Sequence, residues 1–248
     1  MKIKTVGVAV ALVASVLNVG VARLASATMP TCATADHGAT FLAVVTDSSS
    51  ERGDRLTGQR QGALANFATY AAACRGHLTV VADPGLSVTT TVFNGTPYVN
   101  APTPIAADHR TAAYLATTVL PKLQSGLAAM VHRPAPLVNQ PESAFTVLGE
   151  YAPSTGEVRG LILTSLVIQE PGFNTNGPLS ASKVAALSKA LKVEHLGRHF
   201  RISIEGVGST SDVRPAPLSW LQSLRALATN LCHKTGAQCS VTSEIVGQ

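Results

Sequence analysis

Hydrophobic and polar positions form blocks along the chain that predict strands separated by helices. Two continuous apolar runs, at 40–46 (TFLAVVT) and 159–169 (RGLILTSLVIQ), are typical of strands that are buried on both faces. Shorter β-branched or alternating runs predict four further strands, which cover residues 77–83, 88–93, 200–207 and 239–246. The turn dipeptide Asn94-Gly95 follows one of these runs and supports its end.

Between the strands, apolar residues recur at three- and four-residue steps, which is the spacing of amphipathic helices. The predicted helices cover residues 59–75, 108–130, 143–152, 180–193 and 218–232. Asp108 is predicted to cap the second of them, and Pro121 to kink or split it. Strands that alternate with helices predict a three-layer, Rossmann-like α/β fold with a mainly parallel sheet and helices on both faces.

The first 27 residues have the pattern of a secretory signal peptide. Lys2 and Lys4 precede an apolar stretch at 6–22, and residues 25–27 (ASA) have the small-x-small pattern that a signal peptidase accepts. Arg23 leaves an uncleaved membrane anchor open as the alternative. The sequence therefore predicts a secreted, extracellular or cell-envelope protein, associated with a membrane only if the segment 1–27 is not cleaved.

The rest of the chain is predicted to form an N-terminal segment at 28–37 and a single α/β domain at 38–248. Of its 248 residues, 46% are hydrophobic and 13% charged, a balance that excludes a disordered chain. Loss of the three basic residues of the signal peptide lowers the formal net charge from +5 to +2. Because no dense Lys/Arg run remains, nucleic-acid binding is disfavoured.

All four cysteines follow the signal peptide, and an even number in an exported chain predicts two disulfides. Four cysteines allow three pairings, among which the sequence alone does not choose. Proximity favours Cys232–Cys239 across a short turn, which leaves Cys32–Cys74 for the N-terminal part. A zinc site is the alternative, but no paired CxxC spacing supports it.

Acidic and hydroxyl residues follow the first predicted strand, at the edge where open α/β sheets bind ligands. Residues 47–51 read Asp-Ser-Ser-Ser-Glu, and the segments 59–75, 77–83 and 159–169 follow in order. Here the chain resembles a von Willebrand factor A-type domain, in which the first strand ends in Asp-x-Ser-x-Ser. The resemblance implies a metal-ion-dependent adhesion site and a role in binding other proteins.

The resemblance implies metal ligands at the end of the first strand. Asp47 and Ser49 match the first two positions of the family motif, and Glu51 stands where its second serine is expected. Magnesium requires a near-octahedral set of hard oxygen ligands, which these side chains offer only in part. The alternative is that Asp47 and the serines cap the following turn or helix through hydrogen bonds to the backbone.

Two further ligand positions of the family lie on other elements. Thr146, or Ser143, matches the family's threonine before a central helix, and Ser165 falls where an aspartate ends the fourth strand. A hydroxyl at Ser165 cannot supply the charge of that carboxylate, and magnesium gives up its waters reluctantly. Glu51 is the compensating ligand if a metal binds. The sequence therefore predicts no resident cofactor, with magnesium binding weak or absent.

A shorter part of the chain has a second resemblance. Residues 202–212 (ISIEGVGSTSD) and 218–231 are similar to the peptidoglycan-binding domain of outer-membrane-protein-A type. This resemblance covers residues 180–246 and implies cell-wall contacts at Asp212 and Arg225. It leaves the first four predicted strands unexplained.

Three hypotheses about function follow from the sequence. The first is a secreted or cell-surface module without enzymatic activity, which binds an unknown protein partner through an A-type fold with a weak or lost metal site. The second is a cell-wall-binding domain. The third is an exported hydrolase whose site is unrecognised, since no Gly-x-Ser-x-Gly elbow occurs.

Overall fold

Strands and helices alternate in the computed structural model, which describes residues 29–46, 53–83, 89–132, 142–170, 173–210 and 216–246. The predicted signal peptide lies outside these residues. The described strands are β1 (Thr40–Thr46), β2 (His77–Asp83), β3 (Thr90–Gly95), β4 (Val158–Leu163), β5 (Gln169–Glu170), β6 (Phe173–Asn174), β7 (Phe200–Glu205) and β8 (Gln238–Val241). The described α-helices are α1 (Asp54–Ala73), α2 (Pro104–Tyr114), α3 (Leu120–Val131), α4 (Ser143–Tyr151), α5 (Ala181–Ala190) and α6 (Leu218–Lys234).

Six of the described strands form one sheet in the order β3-β2-β1-β4-β7-β8, while β5 and β6 pair with each other. In this sheet β1 is parallel to β2 on one side and to β4 on the other, and β7 is parallel to β4 and β8. Only the edge strand β3 is antiparallel to its described neighbour. This is the strand order of a doubly wound α/β sheet, so the predicted three-layer, mainly parallel fold is confirmed.

Two apolar cores lie on opposite faces of the sheet, because the central strands carry apolar residues at successive positions. Leu161 and Leu163 of β4 belong to the core that α1 and α3 complete on one face. Ile162, between them, belongs to the core that α4, α5 and α6 complete on the other face. All three side chains are buried, so β4 is covered on both faces as its apolar run predicts.

β4 ends at Leu163, and its predicted extension is wrong. The Oγ1 of Thr164 accepts a hydrogen bond from the N–H of Leu166 (3.0 Å), and the Oγ of Ser165 accepts one from the N–H of Val167 (3.2 Å). Leu166 has a φ of +54°, a left-handed conformation that strands do not contain. The two hydroxyl groups therefore turn the chain out of the sheet by binding N–H groups that a longer strand would need.

β8 is also shorter than the pattern predicts, because a local turn follows it. The Oγ1 of Thr242 accepts a hydrogen bond from the N–H of Glu244 (3.1 Å). The chain then folds back over the end of β7, where a side-chain oxygen of Glu205 accepts a hydrogen bond from the N–H of Val246 (2.7 Å). The carbonyl of Val246 accepts another from the Nδ2 of Asn66 on α1 (2.6 Å). These contacts hold residues 242–246 against the carboxyl ends of the strands.

The helix predicted to begin at Asp108 begins earlier, at Pro104. The Oγ1 of Thr103 accepts a hydrogen bond from the N–H of Ala106 (3.2 Å), so Thr103 is the cap and Asp108 lies inside the helix. The expected break at Pro121 is confirmed. A π-helical segment (Leu115–Val119) lies directly before α3, where the missing N–H of Pro121 interrupts the regular hydrogen bonding.

The structure contains both predicted disulfides. Cys32–Cys74 joins the N-terminal segment to the end of α1 across a sequence separation of 42 residues. Cys232–Cys239 joins α6 to β8 across a separation of 7 residues. Two disulfides indicate an oxidising, extracellular environment. In the described part of the chain, no helix has the length and apolar character needed to cross a membrane.

Candidate functional site

The carboxyl ends of β1 and β4 lie side by side in the middle of the sheet, where the strand order reverses direction. Ligands of open α/β sheets bind at this switch point. The buried Thr46 closes β1, and its Oγ1 donates a hydrogen bond to the carbonyl of Leu163 at the end of β4 (3.3 Å). We call five of the described polar residues at this edge the strand-end site: Thr46, Arg60, Asp83, Ser143 and Ser165. The buried Glu205 at the end of β7 lies further along the same edge.

The metal ligands predicted directly after β1, namely Asp47, Ser49 and Glu51, lie outside the described residues. The described chain fixes both neighbours of that segment, because Thr46 closes β1 and Gly53 precedes α1. Thr46, the residue directly before this segment, belongs to the strand-end site.

A buried arginine of α1 reaches the end of β1. Arg60 is 4% exposed, and its Nη1 donates a hydrogen bond to the carbonyl of Thr46 (3.0 Å). We did not single out Arg60 from the sequence, although a signal was present. Leu56, Arg60 and Leu64 are spaced four residues apart on the buried stripe of α1, which places a cation among apolar positions. Arg60 brings a permanent positive charge to the strand-end site.

A buried carboxylate at the end of β2 faces the start of α4. Asp83 is 2% exposed, and its Oδ2 accepts a hydrogen bond from the Oγ of Ser143 (2.5 Å). Of the two alternatives for the family's threonine position, Ser143 therefore lies at the strand ends. Thr146, one turn later on α4, is exposed. Asp83 is not recognisable as a site residue from the sequence, because it reads as the polar end of a strand.

Ser165 lies at the end of β4 and is fully buried. Its Oγ accepts the N–H of Val167, and its carbonyl accepts the N–H of Gly208 from the turn after β7 (2.8 Å). Both groups therefore take part in the loops that close this edge of the sheet. A hydroxyl used in this way adds no negative charge where the family has a carboxylate.

The described residues match a metal centre poorly. Among them, no group of three or more His, Cys, Asp or Glu side chains lies close enough to hold a metal ion. The described oxygen donors at the strand-end site are the Asp83 carboxylate and the hydroxyls of Thr46, Ser143 and Ser165. The Arg60 guanidinium at the same edge weakens the attraction that the Asp83 carboxylate would offer to a divalent cation.

The residues of the second resemblance are only partly described. Arg225 is exposed on α6, and its Nη2 lies 3.4 Å from the carbonyl of Val241 at the end of β8. Asp212, its predicted partner in cell-wall contact, lies outside the described residues.

A second charged cluster lies at the opposite, amino ends of the strands. Burial alone would raise the pKa of Asp36, but hydrogen bonds from Arg159 and Tyr70 and the charges of Arg159 and Arg201 hold that pKa below its ordinary value of 3.8. Burial and the neighbouring Asp36 carboxylate raise the pKa of Tyr70 above its ordinary value of 10.0. Both pKa values move away from neutrality, which is the reverse of what acid–base catalysis at neutral pH requires.

No protein-family model matches the sequence. No curated protein matches it either. The mixed α/β sheet is compatible with a von Willebrand factor A-type or Rossmann-like domain.

Proposed function

We propose that the chain is a secreted or cell-surface binding module of von Willebrand factor A-like fold, which contacts a protein partner at the surface around the strand-end site. The observation that carries this proposal is the position of that site. Thr46, Asp83 and Ser143 meet at the switch point of a doubly wound sheet, directly before the Asp-Ser-Ser-Ser-Glu segment.

Export supports the same role. A signal peptide at 1–27, cleaved after Ala27, fits a chain with two disulfides. In this proposal the partner is a protein that the module meets outside the cell or in the cell envelope, and nucleic acid is not bound.

Photo-crosslinking tests the proposed contact surface. A benzophenone amino acid replaces the exposed Thr146 beside the strand-end site, and the control position is the exposed Lys189 in the last turn of α5. We expect a discrete protein adduct at Thr146, identified by mass spectrometry from cell-envelope and secreted proteins. Excess wild-type protein should abolish the adduct, and excess Asp47→Ala should not.

Equal adducts at both positions, or an adduct that wild-type protein does not compete for, would contradict the proposal. Sedimentation of the protein with purified peptidoglycan, lost on Arg225→Ala, would replace it with the cell-wall function.

The proposed site has weak affinity for divalent metal or none, because Arg60 supplies positive charge there and Ser165 lacks a carboxylate. Calorimetric titration of the wild type with magnesium, manganese and calcium should give little or no heat. Arg60→Gln should raise the magnesium affinity roughly tenfold by removing the positive charge. Arg55→Gln, on the exposed side of the same helix, should leave it unchanged.

Introducing the Asp47→Ala substitution into the wild type or into the Arg60→Gln variant should abolish any metal binding that these proteins show. Thermal unfolding of each variant verifies that it is folded. A sub-micromolar magnesium affinity in the wild type would show that the strand-end site is a competent adhesion site. An unchanged affinity in a folded Arg60→Gln variant would show that Arg60 does not control metal binding there.

A further inference from the structure

A half-open pocket of about 560 Å³ lies far from the strand-end site, toward the amino ends of the strands. Its floor is the face of β4, β7 and β8 that is turned toward α1. On this face the described apolar core includes residues of β1 to β4 but none of β7 or β8. A volume in this range holds a small organic ligand.

The floor of the pocket is polar because successive side chains of β7 point to opposite faces of the sheet. Ile202 and Ile204 belong to the core on the opposite face, so Arg201 and Ser203 face the pocket. Gln238 and Ser240 lie opposite Arg201 and Ser203 in the register of β7 and β8 and also line the pocket. A row of hydrogen-bonding side chains is unsuited to packing against an apolar helix and suited to a polar ligand.

The wall that α1 contributes is aromatic. Phe67 and Tyr70 line the pocket from this helix, and Phe41 of β1 lies beneath them in edge-to-face contact with both rings. An apolar or aromatic body would lie against these rings, while its polar group reached the floor.

The two arginines of the pocket differ in what they already bind. Arg159 donates to both carboxylate oxygens of Asp36, from Nε to Oδ1 (2.7 Å) and from Nη2 to Oδ2 (2.6 Å). Tyr70 donates a further hydrogen bond to Oδ2 (2.8 Å). Because this bidentate pair already engages the Asp36 carboxylate and the Nε and Nη2 of Arg159, these groups are not available to a ligand.

Arg201 is close to two carboxylates without a hydrogen bond to either. Its Nη1 lies 3.7 Å from Oδ1 of Asp36, and its Nε lies 3.8 Å from Oε2 of Glu157. The Nε is buried and has no hydrogen-bond partner among the described residues. Because the Arg201 side chain is 32% exposed and Glu157 is 45% exposed, a ligand can reach the guanidinium and displace Glu157.

We propose that this pocket binds a small-molecule carboxylate with an aromatic or branched apolar body. The carboxylate takes the free donors of Arg201 in place of Glu157, with Gln238 and Ser240 as further hydrogen-bond donors. The hydroxyl of Ser203 already donates to Oε1 of Glu205 (3.1 Å). The carboxylates of Asp36 and Glu157 already balance the guanidinium groups of Arg159 and Arg201. Because little positive charge is left over, a monoanion suits the pocket better than a phosphate dianion. This proposal is independent of the function proposed for the strand-end site.

The test uses benzoate and 3-phenylpropionate as probes, with benzamide and 3-phenylpropionamide as uncharged analogues. Titrations of the isotope-labelled protein are followed through the backbone amide signals of Gly160, Ser203 and Ser240. We expect saturable binding of at least one carboxylate at millimolar concentration, with its amide bound roughly tenfold more weakly.

Variants then locate the charge that binds the probe. Arg201→Gln should weaken carboxylate binding roughly tenfold, whereas Glu157→Gln should strengthen it by removing the competing carboxylate. Arg198→Gln, an exposed arginine before β7, should leave it unchanged. The amide spectrum of each variant shows whether it is folded.

The proposal would be overturned by the absence of saturable binding by either carboxylate, by equal binding of acids and amides, or by unchanged binding in a folded Arg201→Gln variant. Signal changes confined to Thr46 and Ser143 would also overturn it, because they would place the probe at the strand-end site.

Discussion

Replacement of both Cys32 and Cys74 by alanine should lower the free energy of unfolding by about 4 kcal/mol. The reason is the length of chain that this disulfide closes. Its cysteines are 42 residues apart, and the crosslink removes conformational freedom from the unfolded chain in proportion to the logarithm of that length. Urea unfolding of the wild type and the variant, monitored by circular dichroism without added oxidant or reductant, measures this loss of stability.

The second disulfide is the matched control. Cys232 and Cys239 are 7 residues apart, so their replacement by alanine should cost less, about 2.5 kcal/mol. Cys74 and Cys232 are both fully buried, so the packing losses at these two sites are similar. A larger loss from the Cys232/Cys239 pair than from the Cys32/Cys74 pair would contradict the chain-entropy explanation.

Asp36→Asn should lower the free energy of unfolding by about 2–3 kcal/mol at neutral pH. The substitution keeps the shape of the side chain but leaves Arg159 and Arg201 without their buried counter-charge. Breaking a fully buried ion pair costs roughly 3–5 kcal/mol. Because Arg159 is partly exposed, the cost here should lie at or below the lower end of that range. Asp108→Asn, at an exposed position of α2, is the control and should change stability little.

The stability difference between the wild type and this variant should depend on pH. The pKa of Asp36 in the folded protein lies below its ordinary value of 3.8, so the ionised carboxylate stabilises the fold at higher pH. That contribution is complete above about pH 5 and is lost as the pH falls through the folded-state pKa. The stability difference between wild type and Asp36→Asn should therefore be constant near neutrality and shrink in acid. A difference that grows as the pH falls below about 4 would show that Asp36 is not the group responsible.

The parts of the fold that depend on local pattern were predictable from the sequence. The runs that form β1 and β2 are apolar at successive positions, and both strands have the predicted bounds. The end of β4 was not predictable in this way. Thr164 and Ser165 suit a strand by composition, and only their hydrogen bonds to Leu166 and Val167 show that they end it.

The polar clusters could be predicted only in part, because distant segments build them. Ser143 was considered as an alternative to Thr146, but its partner Asp83 lies 60 residues away in the sequence. Arg159 and Asp36 are 123 residues apart, and no local pattern links them. The position of Arg60 on an apolar stripe was visible in the sequence, whereas its contact with Thr46 depends on how α1 packs against β1.

The bonds that hold the two ends of the described chain determine where the protein can be attached to a surface. Cys32 is fixed by its disulfide near the amino ends of the strands, whereas Val246 is held beside Glu205 at the carboxyl ends. The seven residues of β1 separate these two edges by roughly 23 Å. A tether or label placed before Met29 therefore leaves the strand-end site pointing away from the support, while one placed after Val246 lies next to that site and obstructs its access.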